Sequence, residues 1–366
     1  MERIKTAVIG LGFIGAAHVD ALKRIPGVDV VAVVNRHGAA ETAEKLDVPA
    51  AFADYREMIE VCKPDCIHIC TPNSSHKEIA LYAIERGIHV VCEKPVARDT
   101  AEAEEMLEAA EKKGVVHAIN LHNRFYPAMH QLRGMIRRGD LGRILMVHGT
   151  YLQDCFLCDT DFNWRMIAKN SGNTRVIADI GSHWIDLAEH VTGLKVTEVL
   201  AETQCAYPQR KRKTPEGIVE TDIDTEDSAM FLLRFENGVI GSAVASQMVA
   251  GKKNQTAITV SGTESAAWWD SEQISDLHLG YRNEPNRLLT KDPALMLADT
   301  TPIVAYPGGH VEGFPDAFRQ NFTAIYNAIR DQESERRFAT FADGVHQMKV
   351  LDALSRSAKS GEWVSL

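Results

Sequence analysis

Short runs of β-branched and aliphatic residues alternate with amphipathic segments through the first third of the chain, a pattern that predicts a parallel sheet covered by helices on both faces. Strands are expected over 6–9, 28–34, 66–70 and 88–92. Helices over 16–24, 39–46, 55–62, 75–86 and 100–113 fit between them, two of them ended by Gly87 and Gly114. Beyond residue 120 the texture changes. One helix at 127–138 precedes long strands at 145–152, 228–235, 239–248 and 256–261, with Glu236-Asn237-Gly238 as a hairpin signal, and a last helix spans 343–361. The fold class is therefore α/β: a domain with a helix-covered parallel sheet over 1–120, then an α+β domain over 121–366 with a large, mostly antiparallel open sheet. The C-terminal helix is free to pack back on the first domain.

Between the first strand and helix stands Gly10-Leu11-Gly12-Phe13-Ile14-Gly15. In that setting GxGxxG marks a Rossmann domain. Gly10 permits the tight turn, Gly12 lets backbone approach a pyrophosphate, and Gly15 allows close packing of helix on strand. Phe13 and Ile14 complete the loop. The second strand ends in Asn35-Arg36-His37, where an Asp or Glu normally accepts from the adenosine ribose. Asn35 can still bond that hydroxyl, and Arg36 can stack on adenine or pair with a 2′-phosphate. NADP(H) is thus admissible, and NAD(H) is preferred only through the reaction class reached below.

The chain has 366 residues, a net charge of -10 and 45% hydrophobic residues, enough for two cores. The acidic balance argues against nucleic acid or an anionic membrane as partner. No apolar stretch is long enough to span a bilayer and no leader is evident, so the cytoplasm is expected. Seven scattered cysteines read as small buried hydrophobes in a reducing compartment, and the lone Cys155-x-x-Cys158 carries no metal expectation. The basic run Arg210-Lys211-Arg212-Lys213, bracketed by Pro208 and Pro215, reads as a solvated loop.

Candidate chemistry lies at two places. Lys94, in Glu93-Lys94-Pro95, follows an apolar strand of the nucleotide-binding sheet, where a proton-handling group serves a redox cofactor. Asp179 and His183, in Asp179-Ile180-Gly181-Ser182-His183, share one side of a helix expected to start near Gly181, an arrangement in which a carboxylate raises an imidazole's proton affinity.

Together with Cys70-Thr71-Pro72-Asn73 and His76, these motifs resemble the Gfo/Idh/MocA oxidoreductases over nearly the whole chain. The resemblance implies that Lys94 and His183 handle the substrate proton, and that Asp179 supports His183 or holds a neighbouring hydroxyl. It also implies that Thr71, Pro72, Asn73, His76, Glu93, Lys94 and Asn123 border the cofactor, and that a cis peptide precedes Pro95. Asn163-Trp164-Arg165 resembles a stretch that reaches the cofactor in relatives. Asn123, Arg124 and Tyr126, which leave the last strand of the first sheet, and His310, in the glycine-hinged Tyr306–His310 turn, are expected near substrate. A wall of Asp, His, Asn, Lys and Tyr suits a polyhydroxylated ligand. The expected reaction is oxidation of a secondary hydroxyl of a sugar, glycoside or cyclitol, and 151–154 with 160–165 resembles a branch that oxidises C3. Glycoside cleavage by transient oxidation and a nucleotide-sensing regulator are the alternatives. Self-association to a dimer or tetramer through the second sheet is expected, because few helices follow residue 190 to cover it.

Overall fold

Strands β1 (Ile4–Ile9), β2 (Val28–Val34), β3 (Ala51–Phe52), β4 (Cys66–Ile69), β5 (His89–Cys92) and β6 (His117–Ile119) pair in the order β3-β2-β1-β4-β5-β6, all parallel, in the computed structural model of the chain, which describes residues 3–366. Both faces of such a sheet are covered, and Val8, Ile67, Val90 and Val91 accordingly expose no surface. Strand order reverses between β1 and β4. The loops at the carboxyl ends there, Gly10 to Gly15, Thr71 to Asn73, Glu93 to Pro95 and Asn120, stand where α/β sheets bind ligands.

By internal contacts the chain forms two units, Met1–Phe125 with Gly313–Met348, and Tyr126–Glu312 with Lys349–Leu366. Residues 313–348 thus group with the nucleotide-binding sheet, not with the second domain to which the division at 120 assigned them. Their helix Phe314–Arg330 repeats Phe318, Phe322 and Tyr326 every fourth residue, one face of a helix. That face meets His18 on helix Phe13–Lys23, whose ring lies 5.5 Å from Phe318 and 4.7 Å from Phe322. Arg24 pairs with Asp316 beside it.

The second unit carries β7 (Ile144–Leu152), β8 (Val196–Gln204), a hairpin of β9 (Gln209–Thr214) and β10 (Gly217–Asp222), β11 (Ser228–Phe235), β12 (Ile240–Ser246), β13 (Gln255–Gly262), β14 (Ala266–Asp270), β15 (Asp276–Gly280), β16 (Arg287–Thr290) and β17 (Val364–Ser365). Nine of these form one sheet, β16-β15-β14-β13-β7-β12-β11-β8-β17, antiparallel except between β7 and β12. Along β11 the side chains alternate. Phe231, Leu233 and Phe235 are buried while Met230 and Leu232 are exposed. The buried face supports helix Ser182–Thr192: Gly149 leaves a notch in β7 where a Cβ would lie 2.7 Å from Trp184 Nε1, and that indole donates to the Ala257 carbonyl at 2.9 Å.

The basic run is a strand, β9, not a solvated loop. Arg210 is fully buried, donating to the carbonyls of Phe156, Cys158 and Asp161 and to Asp227, so its charge staples a neighbouring loop. Cysteine placement also departs from expectation: Cys66 and Cys92 are buried, but Cys155 and Cys158 are exposed. Among the described residues no helix is long and apolar enough to cross a membrane.

Candidate active site

The glycine loop is shaped by backbone crowding. Gly10 has φ +94°, and a Cβ there would lie 2.6 Å from the Cys70 carbonyl oxygen; one on Gly15 would lie 1.9 Å from the Gly10 carbonyl oxygen. Gly12 differs. A Cβ there meets nothing within 4 Å, and helix Phe13–Lys23 begins at it with no side-chain cap on its first amides. Unsatisfied helix-start N–H groups beside open space are what a pyrophosphate requires, so the loop fits a dinucleotide. Phe13 is exposed at the same turn. Asn35 donates to the His37 carbonyl at 2.7 Å, and Arg36 is exposed.

The strand-end loops are stitched together. His76 is buried between two of them, with Nε2 2.8 Å from the Thr71 carbonyl and Nδ1 3.1 Å from the Pro95 carbonyl; burial lowers its proton affinity, and the neutral ring donates to one carbonyl at a time. Lys94–Pro95 is cis. Asn73 is buried, Pro72 exposed and Lys94 half-buried. Glu93 is buried and accepts from His18 Nε2 (2.9 Å), Asn120 Nδ2 (2.6 Å) and the Lys94 N–H (3.2 Å). Burial pushes its carboxyl up, but these donors and the positive charge of His18 prevail and hold it at about 2. Asn123 and Arg124 are buried, and Arg124 stands 3.4 Å from Asp343.

In the second unit, Asp179 and His183 lie on a helix that begins before Gly181. It starts at Val176 and passes through a π-helical stretch, Ile177–Gly181, into Ser182–Thr192. Such a widened turn inserts a residue into the helix and marks functional sites in many proteins. Glu226 makes the early start possible. Its carboxylate accepts from the Arg175 N–H at 2.9 Å, the Ile177 N–H at 3.1 Å and the Thr174 hydroxyl. Asp179 accepts from Gln247 Nε2 at 3.0 Å and lies 3.8 Å from Arg165. Arg165 in turn covers the Trp164 ring at 4.7 Å. The Tyr151 ring centroid is 6.1 Å from that of His183, and burial, then the charge of Asp179, pushes its phenol up to about 12. Tyr126 is buried against Trp269, with ring centroids 5.3 Å apart. His310 is exposed; Lys291 grips its turn from below through the carbonyls of Tyr306, Pro307 and His310.

Two profiles of one family match the chain, the oxidoreductase family with NAD-binding Rossmann fold over residues 4–121 and the Gfo/Idh/MocA C-terminal domain over 129–267. The chain belongs to the Gfo/Idh/MocA oxidoreductase family. Residues 4–121 are thus the family's NAD-binding domain. Among relatives of this family, the chain is similar to levoglucosan dehydrogenase of Pseudarthrobacter phenanthrenivorans, 29% identical over 100% of this chain and 99% of that protein. It is also similar to D-glucoside 3-dehydrogenase of Escherichia coli, 32% identical over 65% of this chain and 68% of that one. A structure of levoglucosan dehydrogenase in complex with NADH and L-sorbose superposes with a TM-score of 0.91 at 28% identity, covering 100% and 99% of the two chains.

Contiguous stretches of sequence lead to Lys94 and to the Asp179–His183 helix. They do not lead to His18, Asn120, Gln247 or Tyr151, which touch or flank those residues. For His18 a signal existed: one imidazole in an otherwise apolar helix face. Gln247 follows a strand, with nothing in its neighbours to single it out.

Proposed function

We propose that this protein is an NAD-dependent dehydrogenase that oxidises a secondary hydroxyl of a sugar, glycoside or cyclitol. The full-length likeness to a sugar dehydrogenase crystallised with NADH carries this reading. The polar character of Lys94, Asn123, Asp179, His183 and His310 supports a hydroxyl-rich substrate. Gly10, Gly12 and Gly15 with the first amides of helix Phe13–Lys23 would hold the pyrophosphate; Thr71, Pro72, Asn73 and Glu93, with Trp164 and Arg165, are the further residues proposed to border the nucleotide. Bound NAD supplies a hydride acceptor. Lys94 and His183 are the groups proposed to handle the hydroxyl proton, the ammonium also stabilising a developing alkoxide. Asp179, held by Gln247, orients the imidazole. Similarity to D-glucoside 3-dehydrogenase supports C3 as the carbon oxidised.

The test is turnover. Levoglucosan, methyl glucosides, myo-inositol and free hexoses are supplied with NAD or NADP, reduced nicotinamide is followed by absorbance, and the ketone position is read by NMR. Reduction of NAD by at least one of them is expected; silence with all of them defeats the proposal. Self-association is proposed through the exposed face of the nine-stranded sheet, where Met230, Leu232 and Ile240 are exposed.

A further inference from the structure

The first unit buries a continuous chain of polar side chains that binds no part of the glycine loop. Thr6, His18, His68 and Tyr326 expose no surface at all. His18 Nε2 faces Glu93 at 2.9 Å, His18 Nδ1 faces His68 Nδ1 at 2.9 Å, and His68 Nε2 faces the Tyr326 hydroxyl at 3.0 Å. Tyr326 donates to Thr6 at 2.7 Å, and Thr6 donates to the Cys66 carbonyl at 3.2 Å. Asn120 bonds Glu93 on one side and accepts from Asn321 at 2.9 Å on the other. Polar groups this deep cost free energy unless each is bonded, and apolar residues of the same size would fill the space more cheaply.

Counting protons gives the chain a direction. With the tyrosine and threonine hydroxyls donating onward, His68 donates from Nε2 and accepts at Nδ1. His18 then donates at both nitrogens, to His68 and to the acceptor-only carboxylate of Glu93. Burial, and then the charge of His18, drives the proton affinity of His68 well down, which suits a neutral acceptor. The result is a buried ion pair of His18 and Glu93, held from behind by a neutral histidine and a tyrosine. Glu93 spends its second oxygen on the Lys94 N–H at 3.2 Å.

We propose that His18 is a positioning residue for Lys94: as counter-ion and donor to Glu93 it fixes the backbone of the Glu93-Lys94-Pro95 turn from which the lysine projects, and His68 and Tyr326 hold His18 for that task. The proposal rests on the reading that Lys94 serves the dehydrogenase reaction. The other titratable groups facing Glu93 are Lys94 itself, His76, His122 and the thiols of Cys70 and Cys92; burial pushes both thiols well up, lowers His76 and takes His122 down to about 3, so these four stay neutral near pH 7. Only His18 and Lys94 bring positive charge to that carboxylate.

His18→Leu, His18→Gln and Tyr326→Phe are compared with the parent for kcat, KM, the pH profile of kcat and the pH dependence of melting. A displaced lysine is expected to lower kcat roughly tenfold to a hundredfold in His18→Leu, with a smaller change in KM for NAD. His18→Gln keeps an N–H toward Glu93 and recovers most of that loss. Tyr326→Phe, a milder change that keeps the ring, loses a few-fold in kcat. The sign in pH follows from the depressed Glu93 carboxyl: its stabilisation is present above the unfolded carboxylate range and lost only as pH falls through about 2. Without His18 the folded value rises, so the acid limbs of melting and of kcat both move to higher pH. If His18→Leu keeps kcat within about twofold, or its acid limbs stay in place, the inference is overturned; an unmoved kcat in Tyr326→Phe with an unmoved acid limb removes the tyrosine from it. A parent without turnover on any sugar would sink the dehydrogenase reading instead, while the melting limb of His18→Leu still decides the ion pair.

Discussion

Glu226 is the residue through which the second unit's candidate chemistry is most exposed to a single substitution. Its carboxylate accepts three hydrogen bonds at the start of the helix that carries Asp179 and His183, from the Thr174 hydroxyl and the Arg175 and Ile177 amides. All three donors belong to buried residues. Glu226→Ala removes a helix cap, about 1 kcal/mol, and strands two buried N–H groups at about 1–3 kcal/mol each, partly relieved if water enters; about 3 kcal/mol is the expected loss. For a unit of about 200 residues that is a fall in Tm of roughly 6–12 °C. Glu226→Gln keeps one acceptor oxygen, to which Thr174 and Ile177 can still donate, and is expected to cost about 1 kcal/mol. Scanning calorimetry and circular dichroism at pH 7 measure both. Activity should fall with the cap, measured well below the melting range, because the Asp179 amide donates at 2.6 Å to the carbonyl of Arg175, the residue that Glu226 secures. If Glu226→Ala melts within about 2 °C of the parent, or if the two variants melt alike, the cap does not hold this helix and the argument fails.

Gly12→Ala and Gly15→Ala separate cofactor binding from folding. A Cβ on Gly12 meets no protein atom within 4 Å, so Tm should hold while the Kd for NADH, read by nicotinamide fluorescence, rises about tenfold or more; on Gly15 the Cβ would sit 1.9 Å from the Gly10 carbonyl oxygen, and Tm itself should fall. Equal NADH affinity in Gly12→Ala and parent would count against the pyrophosphate lying there. Lys94→Ala should cut kcat by about two orders of magnitude or more with NADH affinity changed far less, and an unchanged kcat would remove the lysine from the mechanism. Replacing Leu232 by Arg and Met230 by Glu puts charge on an exposed apolar sheet face; light scattering should then report a smaller assembly than the parent's, and an unaltered mass would place self-association elsewhere.

How much of this was legible follows from the range over which each signal acts. Helices Tyr55–Cys62, Thr100–Lys113 and Pro127–Arg138 stand where periodicity and capping residues put them, because those signals are local. Asp54 and Asp99 indeed cap the first two through their side chains. The two-residue β3 and three-residue β6 left no pattern, being too short to show a period. Helix Phe314–Arg330 displays an aromatic stripe, but a stripe states that a face is buried and not against what; its partner, helix Phe13–Lys23, lies some 300 residues away in sequence. The Lys94 and Asp179–His183 motifs were visible because each is contiguous. Glu226 and Gln247 act on them from loops and Tyr326 from a helix, all distant in sequence, and no spacing rule joins such positions.

Three of the supporting residues share one trait, a polar group at a buried position. His18 interrupts the inner face of its helix, His68 sits among Cys66, Ile67 and Ile69 in a strand buried throughout, and Arg210 takes the one fully buried position of its strand. A stray polar residue at such a position would cost several kcal/mol, so its persistence in a folded chain means that a partner of matching chemistry stands opposite. His18 and His68 find each other, and Arg210 finds Asp227. Each of these pairs lies next to a segment that carries candidate chemistry: Glu93 borders Lys94, and Asp227 adjoins Glu226 and pairs with Arg175 at the start of the Asp179 helix. Polar residues in apolar stretches, as at His18 and His68, therefore locate supports of a site, whereas contiguous motifs locate the site itself.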